Sequence, residues 1–165
     1  MADHGSSSLR VLVLHGPNLN LLGERDQALY GTVTLAEIEE RLHRLGVDKG
    51  AAIESRQSNS EGELVSWVQE VAFGAPEQRF SGLVINPGAY SHTSLALLDA
   101  VAAVVEHGTP VVEAHLSRVH ARDSERRRLL TARAASGVIS GLGPISYELA
   151  LDAVILLARQ RNLER

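Results

Sequence analysis

The chain has 165 residues, 44% of them hydrophobic, and a formal net charge of −4, with a sequence pI near 6.0; this suits one domain that buries roughly two thirds of its unfolded surface. There is no global basic field to favour nucleic acid, and no apolar run reaches membrane-spanning length. The absence of cysteine excludes disulfides, thiolate nucleophiles and Cys-based metal sites.

Residues 1–8 are polar and small, with no hydrophobic signal segment, and are expected to form a flexible tail ahead of a single domain over 9–165, in a cytoplasmic protein. Arg10 to Leu14 is a short β-rich run ended by Gly16-Pro17. The spacing of Leu35, Ile38, Leu42 and Leu45 predicts a helix, with Thr34 and Glu37 as a capping box and Gly46 as its stop. Ala51 to Arg56 is the least marked strand. Ser60 caps a helix carrying Leu64, Trp67, Val68 and Val71, with Glu63 at the box position. Gly82 to Asn86 is a strand that halts at Pro87-Gly88, and Thr93 to Glu106 is an Ala/Leu/Val helix. Pro110 to Ala114 and Gly137 to Ser140 are further strands, and Pro144 opens a last helix to about Arg159.

Five continuously apolar strands alternating with helices predict an α/β fold, a parallel sheet covered on both faces. Such sheets bind ligands at the carboxyl ends of their strands. The polar residues Asn18, Asn86 and His115 to Ser117 collect at those ends.

Two segments suit proton chemistry. Tyr30 lies in a loop bounded by Gly23 and Gly31, a possible hinged lid, with Arg25 on the same loop. A free phenol has a pKa of about 10, so a phenolate base near neutrality needs roughly 3–4 kcal/mol of differential stabilisation, which one desolvated cation such as Arg25 together with hydrogen bonds can supply. His115 follows Glu113 by two residues, which on a strand puts both side chains on one face and lets the carboxylate hold a protonated imidazole. The backbone N–H groups of Leu116 and Ser117 suit an anion. Asn18 suits a bound water or a developing oxyanion, and Asn86 and His92 suit the hydroxyls of a polyol ring. Each also has a purely structural reading: a surface loop for Arg25 and Tyr30, a strand-end histidine for His115, turn and cap chemistry for the asparagines and His92.

Arg122 to Arg128 reads as a solvated helical face from which one arginine closes over an anion. Lys49, the only lysine, sits in a turn-like stretch, where a solvated amine is a poor Schiff-base nucleophile. The histidines show no metal-ligand spacing, and no glycine-rich phosphate loop follows the first strand, so neither a metal nor a nucleotide is expected.

Taken in order, His15-Gly16-Pro17-Asn18-Leu19-Asn20-Leu21-Leu22-Gly23, the Arg25–Tyr30 segment, Gln57-Ser58-Asn59-Ser60-Glu61, Asn86 to Ser94, Glu113-Ala114-His115-Leu116-Ser117 and Gly137 to Gly143 resemble the type II 3-dehydroquinate dehydratases, from Leu9 to Ala158. The resemblance implies a flavodoxin-like, doubly wound five-stranded parallel sheet of order 2-1-3-4-5. It implies cofactor-free anti elimination of water from 3-dehydroquinate through an enolate, giving 3-dehydroshikimate. In that scheme Tyr30 is the base, Arg25 ionises it, Asn18 holds a water at the enolate oxygen, and Glu113 holds His115, the acid. Leu116 and Ser117 receive the substrate carboxylate, Asn86, His92 and Arg126 bind ring oxygens, and Asp99 reaches a neighbouring subunit of a homo-oligomer, a dodecamer of four trimers. Departures from the family's habit are His15 for Asn, Gln27 for Pro, Leu98 for Arg and Arg118 for Asn. The alternatives are the same reaction in quinate breakdown and a non-catalytic carboxylate-binding domain on the same scaffold.

Overall fold

A computed structural model describes residues 9–24 and 27–164, with Leu29 and Tyr30 described by backbone alone. The expected tail at 1–8 and the expected cation Arg25 lie outside the described residues. Five strands form one sheet: β1 (Leu9–His15), β2 (Ala51–Gln57), β3 (Gly82–Asn86), β4 (Val111–His115) and β5 (Gly137–Ser140). All pairings are parallel and the order is β2-β1-β3-β4-β5, the doubly wound arrangement expected. The helices are α1 (Gln27–Tyr30), α2 (Leu35–Asp48), α3 (Glu61–Phe73), α4 (Tyr90–Thr93), α5 (Leu95–Glu106) and α6 (Ile145–Leu163).

Alternation along β1 divides the core. Val11 and Val13 face α2 and α6, among Ile38, Leu42, Leu151 and Val154. Leu12 and Leu14 face α3 and α5, among Leu64, Val68, Leu97 and Val101. With both faces covered, the inner strands β1, β3 and β4 are almost wholly buried and apolar; the edge strands depart from the expected continuous apolar run, since β2 carries Glu54, Ser55, Arg56 and Gln57 and both β2 and β5 stay mostly half-buried. Among the described residues no helix is long and apolar enough to cross a membrane.

Local signals behave as their chemistry requires, with four corrections. Thr34 and Glu37 form the reciprocal capping box at the start of α2: Thr34 Oγ1 accepts from Glu37 N at 3.2 Å, and Glu37 Oε2 accepts from Thr34 N at 2.8 Å. Gly46, however, does not stop that helix, which continues to Asp48. It is a glycine because a Cβ there would lie 2.3 Å from Ile53 Cγ1 and 2.8 Å from the Ala51 carbonyl oxygen. The positive φ that ends the helix falls at Gly50 (φ 64°).

Only half of the second capping box forms. Ser60 Oγ accepts from Glu63 N, but the Glu63 carboxylate takes the Ser58 hydroxyl instead. The helix expected from Thr93, α5, begins at Leu95 instead, because Ser94 is its N-cap, accepting from Leu97 N at 2.9 Å. The basic run builds no helical face. It holds one 3-10 turn, Ser124–Arg126, in which Asp123 Oδ1 accepts from Arg126 N at 3.1 Å. Lys49 is spoken for by a 2.8 Å ion pair with Asp152 of α6.

Replacing Gly46 by Ala sets a gain in helix propensity of about 1 kcal/mol against an overpacking cost of about 1–3 kcal/mol. Because one of the blocked atoms is backbone, the clash wins. Gly46→Ala is expected to lower the midpoint of urea unfolding; an unchanged or raised midpoint contradicts the packing.

Candidate active site

The sheet reverses its winding between β1 and β3, and a cleft of about 220 Å³ opens at the carboxyl ends of β1, β3 and β4. The chain is drawn tight there. Gly16 donates to the Asn86 carbonyl at 2.7 Å, and a Cβ on Gly16 would stand 2.4 Å from the Pro87 oxygen. Asn18 follows in the left-handed region (φ 66°), a conformation asparagine tolerates better than most. Its N–H donates to Asn59 Oδ1 at 2.9 Å, and Gln57 Nε2 donates to the same oxygen at 3.2 Å. The loop after β2 therefore holds the loop after β1 in place.

From β4 come Glu113 and His115, on one face as the strand period demands. Glu113 is fully buried. His115 Nε2–H donates to its Oε1 at 2.6 Å, and the Thr131 hydroxyl donates to its Oε2 at 2.6 Å. Both carboxylate oxygens are satisfied, as a buried charge requires. The imidazole is oriented by its Nε2, so Nδ1 is the nitrogen left for chemistry in the cleft that His115 lines. Leu116 and Ser117 continue that wall, both nearly buried.

The opposite wall comes from Asn86 at the end of β3 and His92 on α4. His92 Nδ1 donates to the Arg128 carbonyl at 2.9 Å, leaving Nε2 as an acceptor. Arg122 and Arg126 complete the rim; Arg126 is held by Asp123 at 2.5 Å. Among the described residues no group of three His, Asp or Glu side chains is arranged to hold a metal ion.

The cleft thus gathers Asn18, Asn86, His92, His115, Leu116, Ser117 and Arg126, with Glu113 behind His115. Asp99 is not among them. It is exposed on α5, beside a hollow lined by Phe73, Ala96 and Ala103. The lid segment is described in part: Gly23 and Gly31 both take positive φ, and Gln27 Nε2 donates to the Gly23 carbonyl at 2.9 Å. The Tyr30 side chain lies outside the described residues. Sequence reasoning missed Thr131 and did not single out Arg122 from its run. Only Arg122 had a signal, its place among charges.

A family model described as dehydroquinase class II matches residues 9–155. The chain belongs to the class II dehydroquinases. It is 48% identical over 144 residues to a 3-dehydroquinate dehydratase 1 of Agrobacterium fabrum, covering 87% of this chain and 94% of that one. It is also 48% identical over 141 residues to a 3-dehydroquinate dehydratase of Thermus thermophilus, covering 86% and 90%. A crystal structure of type II dehydroquinase from Propionibacterium acnes aligns with a TM-score of 0.81 at 36% identity, over 90% of this chain and 97% of that chain. As a dehydroquinase the protein is a hydro-lyase.

One further polar side chain is buried beside the cleft. His15 has no exposed surface, and burial lowers its pKa from 6.5 to about 3. It is neutral in the fold but protonates in the unfolded chain below pH 6.5. Its contribution to stability is therefore complete above pH 6.5 and lost as pH falls toward 3, with a limiting slope of about 1.4 kcal/mol per pH unit. The stability of the wild type relative to His15→Asn is expected to decline from pH 6.5 to pH 4.5 in urea titrations; a constant difference refutes the burial argument. Thr131→Val, nearly isosteric, leaves one Glu113 oxygen unserved and is expected to cost about 1–3 kcal/mol in the same assay at pH 7, with Thr131→Ser close to wild type.

Proposed function

We propose that the cleft dehydrates 3-dehydroquinate to 3-dehydroshikimate by anti elimination. The observation carrying this reading is the Glu113–His115–Thr131 chain, which aims one imidazole nitrogen at a polar cleft of small-molecule size. Tyr30, as phenolate beside Arg25, removes the proton on the carbon next to the ketone. The electron pair moves onto the ketone oxygen as an enolate, and Asn18 supports that oxygen through a held water. The enolate then re-forms the ketone and expels the hydroxyl, to which His115 Nδ1 delivers its proton; water leaves and a conjugated enone remains. The phenol has gained a proton and the imidazole has lost one, so transfer from Tyr30 to His115 resets the site without net change. No redox partner or cofactor enters this balance.

Leu116 and Ser117 receive the carboxylate through backbone N–H groups and the Ser117 hydroxyl, while Asn86, His92 and Arg126 take ring oxygens. The single domain over 9–165 is the catalytic unit, and the cytoplasm is its setting. We place this unit in a dodecamer of four trimers, with Asp99 reaching a neighbour's site. In support, Asp99 faces away from its own cleft, and Leu142, Ile145 and Leu149 are apolar yet about half exposed.

Incubation with 3-dehydroquinate is expected to produce enone absorbance. Tight binding of substrate without that absorbance would favour a non-catalytic carboxylate-binding domain. Tyr30→Phe is expected to reduce kcat by at least about 10³-fold with KM changed little; near-normal kcat would show that the base is another group. Light scattering is expected to return twelve times the 17.8 kDa chain mass, and a monomer would overturn the assembly.

A further inference from the structure

Asn18 takes the left-handed backbone (φ 66°, ψ 0°) at the head of the 3-10 turn Leu19–Leu21, and its side chain caps nothing there. The amide is therefore left for the cleft that Asn18 lines. Residues other than glycine resist this backbone, so a partner must hold it. That partner is Asn59, 41 residues along, in the loop after β2. Its Oδ1 accepts the Asn18 N–H at 2.9 Å. Gln57 Nε2 donates to the same oxygen and to the Gly16 carbonyl, each at 3.2 Å.

Asn59 is itself fixed by its neighbours. Ser58 N–H donates to the His15 carbonyl at 3.0 Å, one step past the end of β2. The buried Ser58 hydroxyl accepts from Ser60 N at 2.9 Å and donates to Glu63 of α3. From α4, the Tyr90 hydroxyl donates to the Asn59 carbonyl at 2.8 Å. Because α4 also carries His92, one residue touches both the loop that presents Asn18 and the wall that presents His92. Both contacts to Asn59 Oδ1 come from N–H donors, so the side chain acts there as an acceptor, a role that a carboxylate oxygen also fills.

We propose that Asn59 is a positioning residue that sets the Asn18 amide at the ketone oxygen of the substrate, where negative charge gathers during the reaction. This deepens the dehydratase reading and rests on it. Without the Oδ1 acceptor, the Asn18 N–H loses its partner and the backbone relaxes out of the left-handed region. That movement swings the amide, and the water it holds, away from the developing enolate. Substrate affinity draws mainly on the other polar groups of the cleft, so the loss falls on the step that forms the enolate rather than on binding.

Steady-state kinetics with 3-dehydroquinate test the role, with circular dichroism and melting as checks on folding. Asn59→Ala is expected to lower kcat on the order of 10-fold, the loss of about one hydrogen bond, with KM within about threefold. Asn59→Asp keeps an acceptor oxygen and is expected to hold kcat within about threefold of wild type. Asn18→Ala is expected to lower kcat at least as far as Asn59→Ala. The double variant should be no slower than Asn18→Ala alone, because Asn59 acts through that amide. The proposal fails if Asn59→Ala keeps the wild-type kcat, if its effect falls on KM instead, if Asn59→Asp is as slow as Asn59→Ala, or if the two alanine effects on kcat multiply. If Asn59→Ala does not fold, Asn59→Gln decides, since it keeps the amide but carries the oxygen one carbon too far: a lowered kcat supports the role, and a wild-type kcat overturns it. A wild type that forms no enone defeats the dehydratase reading and this proposal together, whereas an active wild type with an unaffected Asn59→Ala defeats this proposal only.

Discussion

A carboxylate with no access to water must be met on every side, and Glu113 sets that condition at the heart of this protein. It sits on β4, an interior strand of the sheet, where an unpaired charge would cost several kcal/mol. Its two oxygens are met by His115, two residues along the same strand, and by Thr131, from the turn before β5. The first contact orients the imidazole. The second ties the connection between β4 and β5 to the sheet, and the adjoining residue Leu130 donates to the Ser91 carbonyl at 2.7 Å. The same segment that satisfies the buried charge thus anchors the α4 wall on which His92 stands. Orientation of the imidazole and shape of the cleft are consequences of one electrostatic requirement.

The topology supplies the rest. Reversal of winding between β1 and β3 lets their following loops part, yet the Gly16–Asn86 contact keeps the base of the gap closed. The cleft is accordingly shallow in backbone and rich in side chains, the arrangement suited to grip a small polyhydroxylated acid from several directions. Its polar groups are held by partners outside the cleft: Asn18 by Asn59, His92 by Arg128, Arg126 by Asp123. Preorganisation of this kind lowers the cost of fixing a ligand and of meeting charge that develops during reaction.

The buried His15–Tyr147 pair sets two polar groups beneath the visible surface, 2.8 Å apart. Neither side chain lines the cleft, and both are fully enclosed. A Leu–Phe pair would fill similar space without these hydrogen-bonding demands. Glu39, partly exposed on α2, ends the chain of groups at the surface.

What local chemistry dictates was legible without coordinates. Apolar runs separated by helical spacing specified a covered parallel sheet, and the two-residue step from Glu113 to His115 put them side by side, because strand geometry is set by the backbone alone. Capping at Thr34 and Ser60 was readable for the same reason. Gly46 misled, since a helix stop and a point of close helix–sheet approach both call for glycine, and only the distance to Ile53 tells them apart. Resemblance to a family carried the assignment of Arg126 and Asp99, to which no spacing pointed. Tertiary structure alone brought Thr131 to Glu113 across 18 residues and Tyr147 to His15 across 132. Contacts at that separation depend on strand register and helix docking, which emerge from the packing of the whole chain and leave no periodic trace in any one segment.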